Sequence, residues 1–285
     1  MKRLHQHILS ALYLQEGHSK TKAFLSELTV FTYKNMLSCI FPAYIFLVLA
    51  LSNMLGLNFM HRYDFLFVAC VLAQVALLLT GIESKREVLV IMGFHFLGII
   101  MEVHKVNVGS WSYPEDALFK FWGVPLYSGF MYSSVGSYVC RAWDNFSLKI
   151  TDWPKNRYAI PVGFAIYLNF FTNAFIQDLR WYIVLLLLIV FRKTKVHFTT
   201  NGRQRYMPLL LSFVLIGFFL WLAENIATYL GAWQYTYQHK GWQMVDLGKL
   251  SSWSLLVIVS IIIVVQLKRF FSKDVHKEGE FLEHH

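Results

Sequence analysis

Residues 206–223 read YMPLLLSFVLIGFFLWLA, an apolar run without a charged side chain. A helix needs about 20 such residues to cross a bilayer. Further apolar runs of this kind occupy 36–57, 64–82, 88–104, 123–141, 158–176, 179–192 and 250–267. Because backbone polar groups must be satisfied inside a bilayer, these runs predict helices. The sequence therefore predicts an all-α polytopic membrane protein with about eight transmembrane helices.

Composition and charge placement agree with this prediction. Of 285 residues, 56% are hydrophobic and 15% are charged, whereas soluble domains carry about 25% charged residues. The net charge of +9 does not indicate nucleic acid here, since most of the 26 lysines and arginines fall in alternate loops between the apolar runs. Such residues concentrate on the cytoplasmic side, so both termini are predicted to be cytoplasmic.

An internal repeat is the most informative pattern in the chain. Residues 102–113 read EVHKVNVGSWSY, and residues 224–235 read ENIATYLGAWQY. A single offset of 122 superimposes four identities: Glu102/Glu224, Gly109/Gly231, Trp111/Trp233 and Tyr113/Tyr235. Each copy directly follows an apolar run. The pattern predicts a duplicated four-helix unit, a parallel 4+4 repeat about an axis along the membrane normal.

Four segments follow from this organisation. Residues 1–33 are predicted to form an amphipathic, interfacial segment, because Leu, Ile and Phe alternate there with Lys, His and Glu. Residues 34–145 are the first four-helix repeat and residues 146–272 the second. Residues 273–285 are a C-terminal tail that ends in a remnant of a tag.

The two glutamates are the candidate catalytic residues. A carboxylate at the end of a span is costly unless it is paired, hydrated or used. If Glu102 and Glu224 approach each other in an apolar vestibule, their mutual repulsion favours keeping at least one of them protonated. A neutral carboxyl group can donate a proton, as in general acid chemistry on a carbon–carbon double bond. The same pair could also relay protons in a transporter.

Six side chains near the glutamates are the candidate substrate-binding residues. Aromatic rings can stabilise a developing positive charge, although Trp and Tyr at such positions can also be simple headgroup anchors. His95 shares a helical face with Glu102, and its alternative role is a hydrogen-bonded core histidine. The fourth run is rich in Ser and Gly, which favours a close helix contact first and a polar cavity lining second. The candidates are Trp111, Tyr113, Trp233, Tyr235, His95 and Tyr127.

Several chemistries are not expected. The histidines form no di-iron or zinc motif, and neither GxxxxGK[ST] nor GxGxxG is present. No metal and no cofactor are therefore predicted. The expected partners are membrane lipids and a hydrophobic small molecule, with no nucleic acid, and the pattern does not define an oligomeric state.

Two blocks carry a family resemblance. Residues 102–115, EVHKVNVGSWSYPE, and residues 123–143, GVPLYSGFMYSSVGSYVCRAW, closely resemble the YoaT-like family of bacterial integral membrane proteins. The likeness extends from about Lys34 to about Arg269. It implies a multi-pass protein of the bacterial cytoplasmic (inner) membrane, and it implies no activity.

A more distant likeness is to the carotenoid (lycopene) cyclase membrane domain. That family has an acidic residue, a Gly-x-Trp-x-aromatic motif and a Pro-x-Glu-Glu motif. Glu102 and the aromatic motif that follows it fit this order, as does Pro125. However, Leu126, Tyr127 and Ser128 follow the proline where the cyclases carry acids. The likeness therefore favours common ancestry with a changed function.

Three functions remain open on the sequence. The first is binding of, or action on, a lipid or isoprenoid at the paired glutamates, near the outer membrane face. The second is a small proton-coupled transporter whose parallel halves rock about the pseudo-axis. The third is a non-catalytic membrane scaffold or sensor, in which the aromatic loops bind a partner. The paired carboxylates and the aromatic cluster favour the first.

Overall fold

The computed structural model describes residues 20–56 and 59–282, with side chains described between residues 21 and 267 of these ranges. Within these ranges the chain is mostly helical, as predicted. The helices are α1 (Lys20–Ser38), α2 (Ile40–Leu55), α3 (Arg62–Leu79), α4 (Lys85–Asn107), α5 (Tyr127–Asn145), α6 (Asn156–Thr172), α7 (Arg180–Phe191), α8 (Leu209–Tyr229) and α9 (Lys249–Leu282). Each predicted apolar run overlaps one of the helices α2 to α9.

Four of the described helices are long and apolar enough to cross a membrane by length and composition. They are α3, α4, α8 and the segment Lys249–Leu267 of α9. A fifth span is added if α1 and α2, which meet at a bend of 66°, are one broken span. Helix α7 is apolar but has only 12 residues. The structure thus supports a membrane protein with four or five candidate spans.

The break between α1 and α2 corrects the first predicted run. The run 36–57 was predicted as one helix, but Cys39 interrupts it with φ −92° and ψ 15°. Pro42 lies in the first turn of α2, where a proline is tolerated because its missing N–H has no helical partner. The early proline therefore accompanies the start of a helix after a bend.

Short strands add to the predicted all-α fold. The strands are β1 (Trp111–Ser112), β2 (Lys120–Phe121), β3 (Val124–Pro125), β4 (Lys149–Thr151), β5 (Lys195–Thr200), β6 (Arg203–Pro208) and β7 (Gln234–Tyr235). Strands β5 and β6 form a hairpin around Asn201-Gly202, where both φ angles are positive, as a type I′ turn requires. The predicted run 206–223 therefore begins as a strand and becomes helical at Leu209.

Close helix contacts organise the bundle. Helix α4 packs most extensively on α5, and α8 on α9. A Cβ added at Gly98 would lie 2.5 Å from the ring of Tyr132, and one added at Gly129 would lie 2.7 Å from Nδ1 of His95. Because each glycine accommodates a bulky side chain of the facing helix, the Ser- and Gly-rich run acts as the predicted close helix contact.

Arg62, the first residue of α3, joins distant parts of the chain. Its guanidinium donates to the carbonyl oxygens of Leu230 at 2.5 Å and Gly231 at 3.2 Å, at the end of α8. It also pairs with Glu115 at 2.6 Å and donates to Ser52 Oγ at 3.0 Å. The last carbonyls of a helix have no intrahelical partner, so Arg62 caps α8.

The predicted segment limits stay predictions. Residues 1–19 of the amphipathic segment 1–33 lie outside the described residues, and the limit at residue 33 falls inside α1. The limit between 272 and 273 falls inside α9, which continues to Leu282.

Candidate functional site

The ends of α4 and α8 turn in the same way. Gly109 and Gly231 have φ angles of 74° and 72°, in the left-handed region that glycine adopts without steric cost. In each case the backbone N–H of the next residue, Ser110 or Ala232, donates a hydrogen bond of 2.9 Å to the carbonyl oxygen five residues earlier. These bonds are typical of a Schellman motif, which reverses the chain at a helix end. The reversal brings each aromatic motif back beside its glutamate.

Glu102 is buried and accepts hydrogen bonds from aromatic side chains. The indole N–H of Trp111 and the hydroxyl of Tyr113 each lie 2.7 Å from Oε2. The hydroxyl of Tyr132, on α5, lies 2.7 Å from Oε1. An indole N–H can only donate, so Oε2 must act as an acceptor. The carboxyl group is thereby fixed by donors from both sides.

Glu224 has a similar environment on α8. Tyr235 donates its hydroxyl to Oε1 at 2.5 Å, as Tyr113 does to Glu102. Trp253, near the start of α9, donates its indole N–H to Oε2 at 2.6 Å. Both glutamates are therefore buried carboxyl groups whose oxygens face phenol and indole donors.

The two motifs meet in a short antiparallel pair. In the β1–β7 register, Trp111 lies opposite Tyr235 and Ser112 opposite Gln234. The rings of Trp111 and Tyr235 pack edge to face, with centroids 5.9 Å apart. The pairing places both glutamates on one cavity of about 370 Å³.

Positively charged side chains also line this cavity. Lys249 Nζ lies 4.6 Å from the ring centroid of Tyr235 and 5.3 Å from that of Trp111. Lys105 Nζ donates to Asn173 Oδ1 at 2.8 Å and lies 4.4 Å from the ring centroid of Phe170. Cations over aromatic faces are attracted by the ring quadrupole. The same cavity therefore combines carboxyl groups, ammonium groups and aromatic rings.

Asp178 and Arg180 form an ion pair at 3.0 Å on the rim of this cavity. Burial alone would raise the pKa of Asp178. Hydrogen bonds from the Asn169 amide and the Arg180 backbone N–H, together with the Arg180 guanidinium, outweigh burial and hold this pKa below its usual value. Asp178 is therefore a stable anion that neutralises Arg180.

A second, larger cavity adjoins the first. Its volume is about 700 Å³ and its lining is predominantly apolar, from helices α1, α2, α3, α5, α8 and α9 and the nearby strands. Both cavities are lined by Met131, Glu224, Trp233 and Trp253. The first cavity, the polar cavity, contains the charged groups. It therefore meets the second, apolar cavity at Glu224.

The structure brings most of the predicted site residues together. Trp111, Trp233 and Tyr235 line the polar cavity with the two glutamates. Tyr113 is buried behind it against Glu102. Burial first, and then the adjacent carboxylate charge, raise the pKa of Tyr113 and of Tyr235, so both hydroxyls remain donors.

His95 and Tyr127 lie apart from the polar cavity. His95 packs 4.5 Å from the ring of Phe130, and its Nδ1 has no hydrogen-bond partner among the described residues. Tyr127 donates its hydroxyl to the carbonyl oxygen of Ala232 and lines the apolar cavity. Their role in binding stays a prediction.

Four residues of the site were missed by sequence reasoning. Tyr132 and Trp253 donate to the glutamates from helices that follow the motifs, and Lys105 and Lys249 line the cavity. The repeat gave no signal for them, because the residues at the equivalent positions are of other types: Ser254, Met131, Ala227 and Tyr127. The signal available for the lysines was their position, because Lys105 directly follows one apolar run and Lys249 directly precedes another.

The helices and the buried polar site define a helical membrane protein. The chain belongs to a family described as "Protein of unknown function (DUF817)", whose model matches residues 27–261. This match, together with the YoaT relative described next, confirms the predicted YoaT-like family membership. The likeness to the carotenoid cyclase domain stays a prediction.

Two similar proteins place this family assignment in context. The "Uncharacterized protein YoaT" of Bacillus subtilis (strain 168) is 49% identical over 245 residues, covering 86% of this chain and 93% of that protein. A crystal structure of a cross-linked MvINS trimer is 14% identical, with a TM-score of 0.44, and covers 62% of this chain and 91% of that chain. At that TM-score the likeness defines neither fold nor function.

Proposed function

We propose that the chain is a multi-pass protein of the bacterial cytoplasmic membrane with eight spans in two parallel four-helix halves and both termini cytoplasmic. Helix pairs recur at equivalent places, since α2 packs on α3 as α6 packs on α7, and α4 on α5 as α8 on α9. Helices α5 and α9 begin at Tyr127 and Lys249, again 122 residues apart, and pack against each other. These correspondences support a duplicated unit.

The register of the β1–β7 pair supports the same symmetry. Ser112 and Gln234, which are partners in the pair, are themselves separated by the offset of 122. A two-fold axis through such a pair exchanges each strand with the other. The axis proposed for the halves would therefore pass beside the polar cavity, with the glutamates on either side of it.

We further propose that this site binds a hydrophobic small molecule of the lipid or isoprenoid class and acts on it through the glutamates. The observation that carries the proposal is that two buried carboxyl groups line one cavity, and one of them also lines an apolar cavity of about 700 Å³. Pockets of such size and lining are typical of sites for small apolar ligands.

The proposed chemistry is proton transfer to the ligand. A carboxyl group that carries a proton on the oxygen facing the cavity can donate it, while its other oxygen keeps its hydrogen bonds. The rings of Trp111, Trp233 and Tyr235 lie beside the same space and can stabilise positive charge that develops on a carbon chain. Tyr113 and Trp253 hold the two carboxyl groups in place.

The experiment is mass spectrometry of small molecules that copurify with the full chain from detergent. Wild type is compared with the double variant Glu102→Gln/Glu224→Gln. The control is Glu87→Gln, because Glu87 lies in the capping box of α4 with Ser84 and glutamine also serves there. We expect wild type and control to retain a hydrophobic molecule, and the double variant to lose it or to retain it unconverted.

Two results would contradict the proposal. The first is a folded double variant that retains and converts the same molecule as wild type. The second is a wild-type sample with no enriched molecule, combined with solute flux in proteoliposomes that requires the same glutamates. That second result would favour the proton-coupled transporter.

A further inference from the structure

Two lysines in the polar cavity have few hydrogen-bond acceptors. Lys105 is only 6% exposed, and its ammonium group donates to Asn173. For Lys249, which is half-buried at the start of α9, no acceptor is found within the described residues. An ammonium group carries three N–H donors, so most of the donors of this pair have no acceptor among the described residues.

No carboxylate of the cavity forms an ion pair with either lysine among the described side chains. Across the part of the chain with described side chains, neither Lys105 nor Lys249 lies within 4.0 Å of a carboxylate oxygen. Glu102 and Glu224 instead accept from phenol and indole groups. Lys249 lies over the rings of Trp111 and Tyr235, which are themselves donors to these glutamates. The ammonium group of Lys249 therefore contacts the aromatic donors of the glutamates and forms no ion pair with either carboxyl group.

The remaining cation of the cavity is already neutralised. Arg180 pairs with Asp178 and also donates to Gly248 and Ser251. A partly buried ammonium group is stabilised when an anion supplies both charge and hydrogen-bond acceptors. The two lysines thus present positive charge to the same cavity without a paired carboxylate.

The adjoining apolar cavity indicates which chemical group an anionic ligand would carry in addition to its anionic group. Its lining runs from Phe31 in α1 to Trp233 and Trp253 beside Glu224. Such a space accepts a hydrocarbon chain, because its walls offer apolar surface and few hydrogen-bond partners. A molecule that occupies both cavities therefore needs an anionic group at one end and a long apolar chain.

We propose that the site takes an amphipathic lipid whose phosphate group binds between Lys105 and Lys249 and whose hydrocarbon chain lies in the apolar cavity. The assignment rests on the proposed function and specifies its ligand class. The chain passes Glu224 on its way between the two cavities, which places the part of the lipid next to the headgroup within the reach of the glutamates.

The test is native mass spectrometry of the full chain, purified in a neutral detergent and incubated with phosphatidylglycerol or phosphatidylcholine. The variants are Lys105→Gln and Lys249→Gln, singly and together. The matched control is Lys240→Gln, because Lys240 is exposed in an outer loop and lines neither cavity. We expect phosphatidylglycerol retention to fall about tenfold for each cavity lysine, as for a lost charge-assisted hydrogen bond, and to be unchanged in the control.

A second variant separates loss of charge from loss of folding. Lys105→Arg keeps the positive charge, and it should retain phosphatidylglycerol within about threefold of wild type. In binding free energy, a threefold change is less than half of a tenfold change. Thermal unfolding of each variant in detergent without lipid gives the folded fraction. Equal retention of phosphatidylglycerol by wild type and the folded double lysine variant would overturn the assignment.

Further measurements distinguish a phospholipid from free phosphate as the bound anion. They also distinguish failure of this inference from failure of the proposed function. Inorganic phosphate should compete with phosphatidylglycerol only weakly, because it lacks the hydrocarbon chain. Thermal stabilisation by inorganic phosphate with no retained phospholipid would overturn the lipid assignment. Glutamate-dependent retention of a neutral isoprenoid, unaffected by the lysine variants, would overturn this inference and leave the proposed function standing. Loss of every hydrophobic ligand in wild type would contradict both.

Discussion

Glu102 illustrates how a carboxyl group is kept inside the helical bundle. Its two oxygens accept three hydrogen bonds, two from the loop that follows its own helix and one from Tyr132 on the neighbouring helix. Removing a buried acceptor leaves its donors unsatisfied, and each such donor costs about 1–3 kcal/mol. The glutamate is therefore expected to stabilise the fold as well as to serve any ligand.

Substitutions of Glu102 should separate these two roles. Glu102→Gln keeps an oxygen for Trp111 and Tyr113 and presents its amide to the Tyr132 hydroxyl, which can accept. We expect a loss of about 1 kcal/mol in the free energy of unfolding for this variant, and several kcal/mol for Glu102→Leu. Thermal unfolding in detergent measures the difference. Equal stability of the two variants would show that the hydrogen bonds contribute little.

Asp178 should give the rim of the site an acid sensitivity. Because the pKa of Asp178 is lower in the folded chain than in the unfolded one, its contribution to stability is present above the unfolded value of about 3.9 and is lost as the pH falls through the folded value. Asp178→Asn should therefore unfold at a lower temperature than wild type at pH 6. The difference should shrink below about pH 4. A difference independent of pH would contradict this account.

The helices show how far elements can be predicted from sequence. Apolar runs located the helices α2 to α9, because hydrophobic length is a direct requirement of a bilayer. The bend at Cys39 and the strands near the ends of the apolar runs were not predicted. Some of these strands, such as β4 and β5 with their pairing of Lys149 and His197, depend on backbone hydrogen bonds between distant residues. Such pairings leave no periodic pattern in a single segment.

The contact between α4 and α5 should be sensitive to one methyl group. Gly98 faces Tyr132 so closely that Gly98→Ala requires the ring to move, which should cost about 1–3 kcal/mol and weaken the hydrogen bond from Tyr132 to Glu102. Gly93 lies in the same helix with no atom within 4 Å of an added Cβ. Gly93→Ala should therefore leave stability unchanged or raise it by up to about 1 kcal/mol. Thermal unfolding of both variants checks this, and matching losses would contradict it.

The site was only partly predictable for a related reason. The repeat identified Glu102, Glu224 and their aromatic partners, because the same local turn serves both copies. Tyr132 and Trp253 reach the glutamates from other helices, so their role depends on the packing of α4 on α5 and α8 on α9. Sequence symmetry finds the residues that a motif carries with it. It does not find residues that complete the site from a neighbouring helix.

The arrangement of the whole molecule in the membrane can be tested by cysteine labelling. The proposed topology places Lys240 outside and Lys193 inside, and both are exposed. An impermeant maleimide should label Lys240→Cys in intact cells, and Lys193→Cys only after permeabilisation. Wild type is the background control, because Cys70 and Cys140 are buried and Cys39 is half-buried. The reverse labelling pattern would contradict the proposed orientation.

The cap that Arg62 places on α8 also has a consequence for the order of synthesis. Arg62 emerges from the ribosome 168 residues before Leu230, on the order of ten to thirty seconds at about 5–20 residues per second. During that interval the available partners of Arg62 are Ser52 and Glu115, which are both synthesised before Leu230. We therefore expect these side chains to hold the guanidinium group before α8 is made. The last carbonyl oxygens of α8 can then bind a guanidinium group that was synthesised earlier in the same polypeptide.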